Sequence, residues 1–348
     1  MPMDYAGLSL ASFLKKQPGI HVLLLGWLIV GTAVGSNPET ENPPGETRPN
    51  MEQQLLERRE TQEDLDFWLR NMLLAHRYTW DEAARVTGMS LAETQAAARR
   101  AGIDPATGMY PFPVSQAAVL PYPGGRHPRI GFLEGAVDPI RATKASVFLP
   151  GDPQSYVVID LPEAIFRGND LIFLAHTHIP TVWEQQNRRP RFRDWRRHPD
   201  GSLTGEWPLP DGVIFGATIE SAPAGVEMEL WLRNGTNQTL TSLRTQVCVM
   251  LKGAAEFADQ TNTNKLFEAP VAAARSNTGN RWILTAWSPC GRVWGNEQVP
   301  CIHADPVFPD CHPDETVRAR GRLWFYEENG IQKEMNRAKA EFAMPGEP

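Results

Sequence analysis

The chain predicts an antiparallel β-sandwich preceded by a small helical hairpin, on three observations. From Ala118 onward the apolar residues recur at a period of two. Thirty prolines and 28 glycines punctuate the 348 residues, which favours short strands and many turns over long helices. Before Ala118 the period is helical, and two capping boxes, Thr79 with Glu82 and Ser90 with Glu93, mark helix starts near Trp80 and Leu91. A chain of this length can bury a large core and form one main domain with an accessory segment.

In chain order, residues 1–35 have the form of an export signal. Lys15 and Lys16 precede an apolar run over 20–34, and Ala33, Val34 and Gly35 supply small residues for cleavage. The run is about 15 residues, short of the roughly 20 that span a bilayer. A cleaved signal leaves no stable membrane anchor. An uncleaved anchor is the alternative, and translation from Met51 would give a cytoplasmic protein instead. Residues 36–50 are a Pro, Glu and Asn linker with nothing to bury. Residues 51–104 form the helical segment: a helix over 51–75, then the two capped helices with Gly88 breaking between them. With Ala84 and Gly88 at the spacing such units use, YTWDEAARVTGMSLAETQAAARRAGI resembles a helix-turn-helix module, which would imply DNA binding. Its second helix ends in only two basic residues, Arg99 and Arg100, so a structural hairpin is preferred for an exported chain.

Residues 118–330 form the sandwich, with strands expected at 145–149, 155–161, 171–178, 212–220, 281–287 and 316–326. The alternating run 226–232 and the run 243–251, joined through 234–239, should pair as an antiparallel hairpin. In 316–326, Val317, Ala319, Gly321, Leu323 and Phe325 face inward, while Arg318, Arg320, Arg322 and Trp324 lie opposite. Residues 331–348 add a terminal helix over 331–342 and a tail.

A net charge of −7 argues against nucleic acid as the main partner. Arg188, Arg189, Arg191, Arg193, Arg196 and Arg197 form a basic run around Trp195, read as a solvated loop, with an anionic surface as the alternative. Four cysteines, Cys248, Cys290, Cys301 and Cys311, can pair in an oxidising compartment. With His303 and His312 beside them, zinc is an alternative to a Cys301–Cys311 disulfide or free thiols, although the spacing matches no compact zinc pattern.

The stretch 120–183 gathers the candidate chemistry. Glycines and prolines set the directions of Arg126, His127, Arg129, Glu134 and Asp138. Arg126 and Arg129 could clamp a carboxylate or sulfate while His127 serves as acid or base, and Glu134 and Asp138 are the nearest carboxylates for a paired role. Salt bridges that staple the loop are the plainer alternative. His176 and His178, two apart on a strand, project from one face and supply two of the ligands a divalent metal needs. His303 and Asp305 repeat that spacing. The four together would make a mixed nitrogen and oxygen site, or else be hydrogen-bonded groups that anchor loops. Lys252 and the polar run 259–264 lie at a rim where binding residues gather. Trp183, Trp287 and Trp294 offer faces to sugar rings, or fill the core.

His176 and His178 resemble the first cupin motif over a dozen residues. Across 120–326 the long loops, the Asn234-Gly235-Thr236 turn and the aromatic strands resemble the carbohydrate-associated sandwiches of the galactose-mutarotase type; a jelly-roll is the other sandwich considered. The mutarotase resemblance implies a catalytic histidine and a carboxylate base in a rim cleft, with His176 or His178 and Glu134 or Asp138 as counterparts. It also implies a small-molecule or carbohydrate ligand. The expected function is an exported protein that binds or modifies a carbohydrate, with a divalent metal as a candidate cofactor. The alternatives are a non-catalytic envelope or binding protein, and a cytoplasmic ligand-sensing regulator that starts at Met51.

Overall fold

The computed structural model describes residues 61–113, 116–126, 141–176, 179–188, 190–327 and 329–343. Helix α1 (Gln62–Arg70) starts at Thr61, whose hydroxyl accepts from the Asp64 amide, and continues into a π-helical turn (Asn71–Ala75). Helices α2 (Trp80–Thr87) and α3 (Leu91–Arg100) begin at the two capping boxes. Gly88 closes α2 at φ +60°, a left-handed conformation that costs glycine little. Leu69, Met72, Ala83, Val86 and Ala97 pack as a small core of this segment.

Among the described residues fifteen strands follow: β1 (Ala118–Pro121), β2 (Lys144–Leu149), β3 (Asp152–Arg167), β4 (Asp170–Leu174), β5 (Arg196–Arg197), β6 (Leu203–Pro208), β7 (Ile214–Ala222), β8 (Gly225–Arg233), β9 (Leu243–Met250), β10 (Lys265–Glu268), β11 (Val271–Arg275), β12 (Trp282–Ser288), β13 (Cys290–Gly295), β14 (Cys301–Pro306) and β15 (Thr316–Tyr326). They form two antiparallel sheets. One runs β1-β2-β3-β9-β14-β13 with β4 beside β3, and the other runs β10-β11-β12-β15-β8-β7-β6-β5. Val147, Val157, Ile159 and Val249 of the first sheet meet Phe215, Leu230, Ile283 and Val317 of the second in one buried core. The expected sandwich is therefore present. A short helix, α4 (Val182–Gln185), lies between β4 and β5 in the chain. Helix α5 (Ile331–Phe342) buries Met335, Ala338 and Phe342 against Leu284 and Trp324, on the far side of the second sheet from that core. No helix among the described residues is long and apolar enough to cross a membrane.

Three local expectations are corrected. The runs around 226–232 and 243–251 do not pair: β8 lies between β7 and β15 in the second sheet, and β9 lies between β3 and β14 in the first. The reason is the buried Asn234, whose amide donates to Gln238 O and Cys311 O while its oxygen accepts from Thr236, so the chain turns a corner between sheets rather than a hairpin. Strand β4 stops at Leu174, short of His176. The arginine run is solvated only in part: Arg188, Arg191, Arg193, Arg196 and Arg197 are exposed as expected, but the run is anchored at its centre. Trp195 is buried with its indole N–H on Lys144 O, and Arg197 stacks 3.5 Å from the Phe67 ring centroid, beside Asp64.

Close backbone approach at Gly225 yields a first prediction. A Cβ there would lie 2.0 Å from Leu323 O and 2.6 Å from Trp324 Cα, both in the backbone of β15, which cannot swing aside as a side chain can. Gly225→Ala should destabilise the chain by about 1–3 kcal/mol. A melting temperature equal to wild type would contradict that packing.

Candidate functional site

Strand alternation puts Ala145, Val157, Ile159, Val249, Ile302 and Ala304 into the core between the sheets. The intervening residues stand on the opposite face of the first sheet. There the register pairs Lys144 with Asp160, Asp160 with Cys248, Cys248 with His303 and His303 with Trp294. Directly paired residues share a face, so these five side chains form one row across β2, β3, β9, β14 and β13. The first four are fully or almost fully buried. An irregularity in β3 extends the group: two extra residues lie between Asp160 and Ala164 relative to β9, and Glu163 falls on the same side as Asp160. His176, just past β4, completes it. The backbone fixes its place, since Ala175 N donates to Glu163 O and Lys144 Nζ donates to Ala175 O.

Charge alternates through the group. Lys144 Nζ is 2.8 Å from Asp160 Oδ1, both side chains being fully buried. His176 Nε2 lies 3.3 Å from Asp160 Oδ2 and 3.2 Å from Glu163 Oε1. Burial alone would raise the Asp160 carboxyl, but Lys144 and His176 outweigh it and hold the group below the usual carboxylate range. Glu163 then reaches toward His303, whose Nδ1 is 3.8 Å from Glu163 Oε2 and 3.6 Å from Asp305 Oδ1. On its other side, His303 Nε2 is 3.5 Å from Cys301 Sγ. Burial pulls the His303 imidazole down, but Cys301, Asp305 and Glu163 more than reverse it, to about 10. Trp294 stacks on the ring at 3.9 Å between centroids and 18° between planes. Asp305 braces this end by accepting from Val247 N, Arg292 Nε and Trp294 Nε1. Burying so many ionisable groups costs stability, and such clusters concentrate at functional sites.

No family model and no curated protein matches the chain. Similar solved structures include the Slr1438 protein of Synechocystis, at 10% identity and a TM-score of 0.33 over 55% of this chain and 91% of that one. A human-microbiome protein described as a kojibiose phosphorylase is 7% identical, with a TM-score of 0.32 over 56% of this chain and 27% of its own. The heparan sulfate lyase HepC of Pedobacter heparinus is 8% identical, with a TM-score of 0.35 over 76% of this chain and 42% of its own. Likenesses of this size do not carry function from one chain to another.

The sequence candidates distribute unevenly about the group. His176, His303 and Asp305 belong to it, although His176 and His303 meet through Glu163 and the oxygens of Asp305 are occupied by three protein donors. His127, Arg129, Glu134, Asp138 and His178 lie outside the described residues. Arg126 is a staple rather than a ligand clamp: it is bonded to Glu82 at 2.8 Å and to the carbonyls of His76 and Arg77, tying the helical segment to the region after β1. Trp183 and Trp287 are core residues. Trp183 is buried and donates to Ile172 O, and Trp287 is buried against Gly321, so neither offers a face to a sugar. Lys252 is exposed just after β9. Cys301 and Cys311 lie in different buried clusters, Cys311 in the core between the sheets and Cys301 on the outer face with Cys248, which removes the link considered between them.

Lys144, Asp160 and Glu163 went unread as site residues. Their signal was a charge inside an apolar strand, Asp160 and Glu163 within YVVIDLPEAIF and Lys144 at the start of KASVFL. A separate groove of about 330 Å³ on the outer face of the second sheet carries Arg322, which pairs with both Glu227 and Glu341.

Proposed function

We propose that the chain binds a carbohydrate at the His176 end of the buried group and moves a proton there through His176 and Glu163. The observation that carries this is His176 Nε2 held between two carboxylates at 3.2 and 3.3 Å. Lys144 neutralises Asp160, so Glu163 is the carboxylate placed to exchange a proton with the imidazole. Lys144 and Asp160 have no exposure, whereas His176 keeps 3% and Glu163 5%, so the latter pair is the less enclosed end, and the reading requires it to open for a ligand. Sugar hydroxyls suit such a pair, since each donates and accepts. The mutarotase-type resemblance of the sandwich points to the same ligand class.

Saturation-transfer NMR of the full chain with D-galactose, D-glucose and their disaccharides tests this. Transfer to at least one sugar is expected, together with faster mutarotation of that sugar by polarimetry. Glu163→Gln, which keeps the shape, should lower the rate about 10²–10⁴-fold. Absence of transfer to every sugar, or an unchanged rate in the variant, would reject the reading. Export belongs to the same proposal: N-terminal sequencing of the mature protein should find a start close to residue 36, whereas a start at Met51 would place it in the cytoplasm.

A further inference from the structure

We propose that Cys248, Cys301 and His303 form a binding site for one zinc ion on the outer face of the first sheet. Their donor atoms all lie within 4.8 Å of one another, and all three residues are buried. The fold itself brings them together. Cys301 and His303 are two apart on β14 and share a face, and Cys248 is the direct partner of His303 on β9. The separations also suit the ion. Zinc bonds of about 2.3 Å to sulfur and about 2.0–2.1 Å to nitrogen, at a tetrahedral angle, place sulfur and nitrogen about 3.6 Å apart. Cys301 Sγ and His303 Nε2 are 3.5 Å apart.

The surroundings orient the histidine for this role. Its Nε2 faces the sulfur, while Nδ1 faces Asp305 and Glu163 at 3.6 and 3.8 Å. Carboxylates behind Nδ1 hold a proton there, so Nε2 is the nitrogen that gives up its proton and ligates a metal. Stacked Trp294 fixes the ring plane. Two thiolates balance the charge of the dication, so the loaded site is neutral, and the two thiol protons leave to solvent on binding together with the proton that the imidazole carries on Nε2. Two sulfurs and an imidazole select zinc over magnesium or calcium, which take oxygen ligands. Among the described residues no fourth histidine, cysteine or carboxylate joins the set, which leaves a coordination position for water or a ligand. The site shares no ligand with the sugar reading, since none of its three ligands is His176 or Glu163, although Glu163 stands behind the His303 ring.

Zinc content by mass spectrometry, on full chain purified without a histidine tag, reloaded with zinc sulfate and dialysed, tests the site. About one zinc per chain is expected in wild type and in a Cys290→Ser control, and loss of at least nine-tenths of it in Cys248→Ser and in Cys301→Ser. Because a buried variant may fail to fold, zinc-edge X-ray absorption of the wild type supplies a second measurement, expected to show two sulfurs at about 2.3 Å and nitrogen at about 2.0–2.1 Å. Wild type without zinc after reloading, a shell without sulfur, zinc retained by a folded Cys248→Ser, or a disulfide-linked peptide joining Cys248 to Cys301 in a digest of the reloaded protein would each overturn the proposal.

Discussion

Replacing Lys144 by methionine is expected to destabilise the chain by about 3–5 kcal/mol, because it leaves the fully buried Asp160 carboxylate without its cation. For a domain of this size that corresponds to a fall in Tm of roughly 6–20 °C. The loss should come from the unpaired charge more than from the pair's own strength. The double variant Lys144→Met, Asp160→Leu should therefore recover most of it, since apolar groups often replace a buried pair at little cost. Denaturant titration of the four members of the cycle measures the coupling. A single variant within about 0.5 kcal/mol of wild type would show that Asp160 is not held as a buried charge. The pair also has a pH signature. The folded Asp160 carboxyl sits below its ordinary value, so its contribution is present at neutral pH and disappears as pH falls through the folded value.

Acid will undo the docking of the helical segment through His76. The imidazole bonds Asn71 O at 3.0 Å and Ser146 Oγ at 2.7 Å, ringed by Tyr78, Tyr122, Phe148 and Tyr156. Burial, aided by the nearby Arg126 charge and opposed by the bond to Asn71 O, pulls its pKa from 6.5 down to about 3. The unfolded chain takes up this proton first. Stability is thus unaffected above about pH 6.5 and falls by about 1.4 kcal/mol per pH unit below it, levelling near pH 3, for a total on the order of 4–5 kcal/mol. His76→Gln removes the titration while keeping a polar group, and should flatten the dependence between pH 6 and pH 4 relative to wild type. Urea titrations across that range decide the matter. Parallel decline in both proteins would locate the acid sensitivity elsewhere.

The helices and the alternating strands were legible because their signals are local. Thr79 with Glu82 and Ser90 with Glu93 cap the helices that begin beside them, and Val317 to Phe325 alternate as β15 does in the folded sheet. Helix α5 likewise covers the expected 331–342. The mispaired hairpin shows where local signals end. Both runs have the pattern of strands, but the corner is made by Asn234, whose amide is satisfied partly by Cys311, far along the chain.

The site illustrates the same divide. His176 and the His303, Asp305 pair could be picked out as residue types at suggestive spacing, and nothing near them in sequence named their partners. Spacing by itself put His303 and Asp305 on one face of an extended segment, and composition determined a sandwich rich in turns. Only the tertiary structure decided that Lys144, Asp160, Cys248 and His303 stand in one row, because register between strands distant in the chain depends on how all of them bury their apolar faces together.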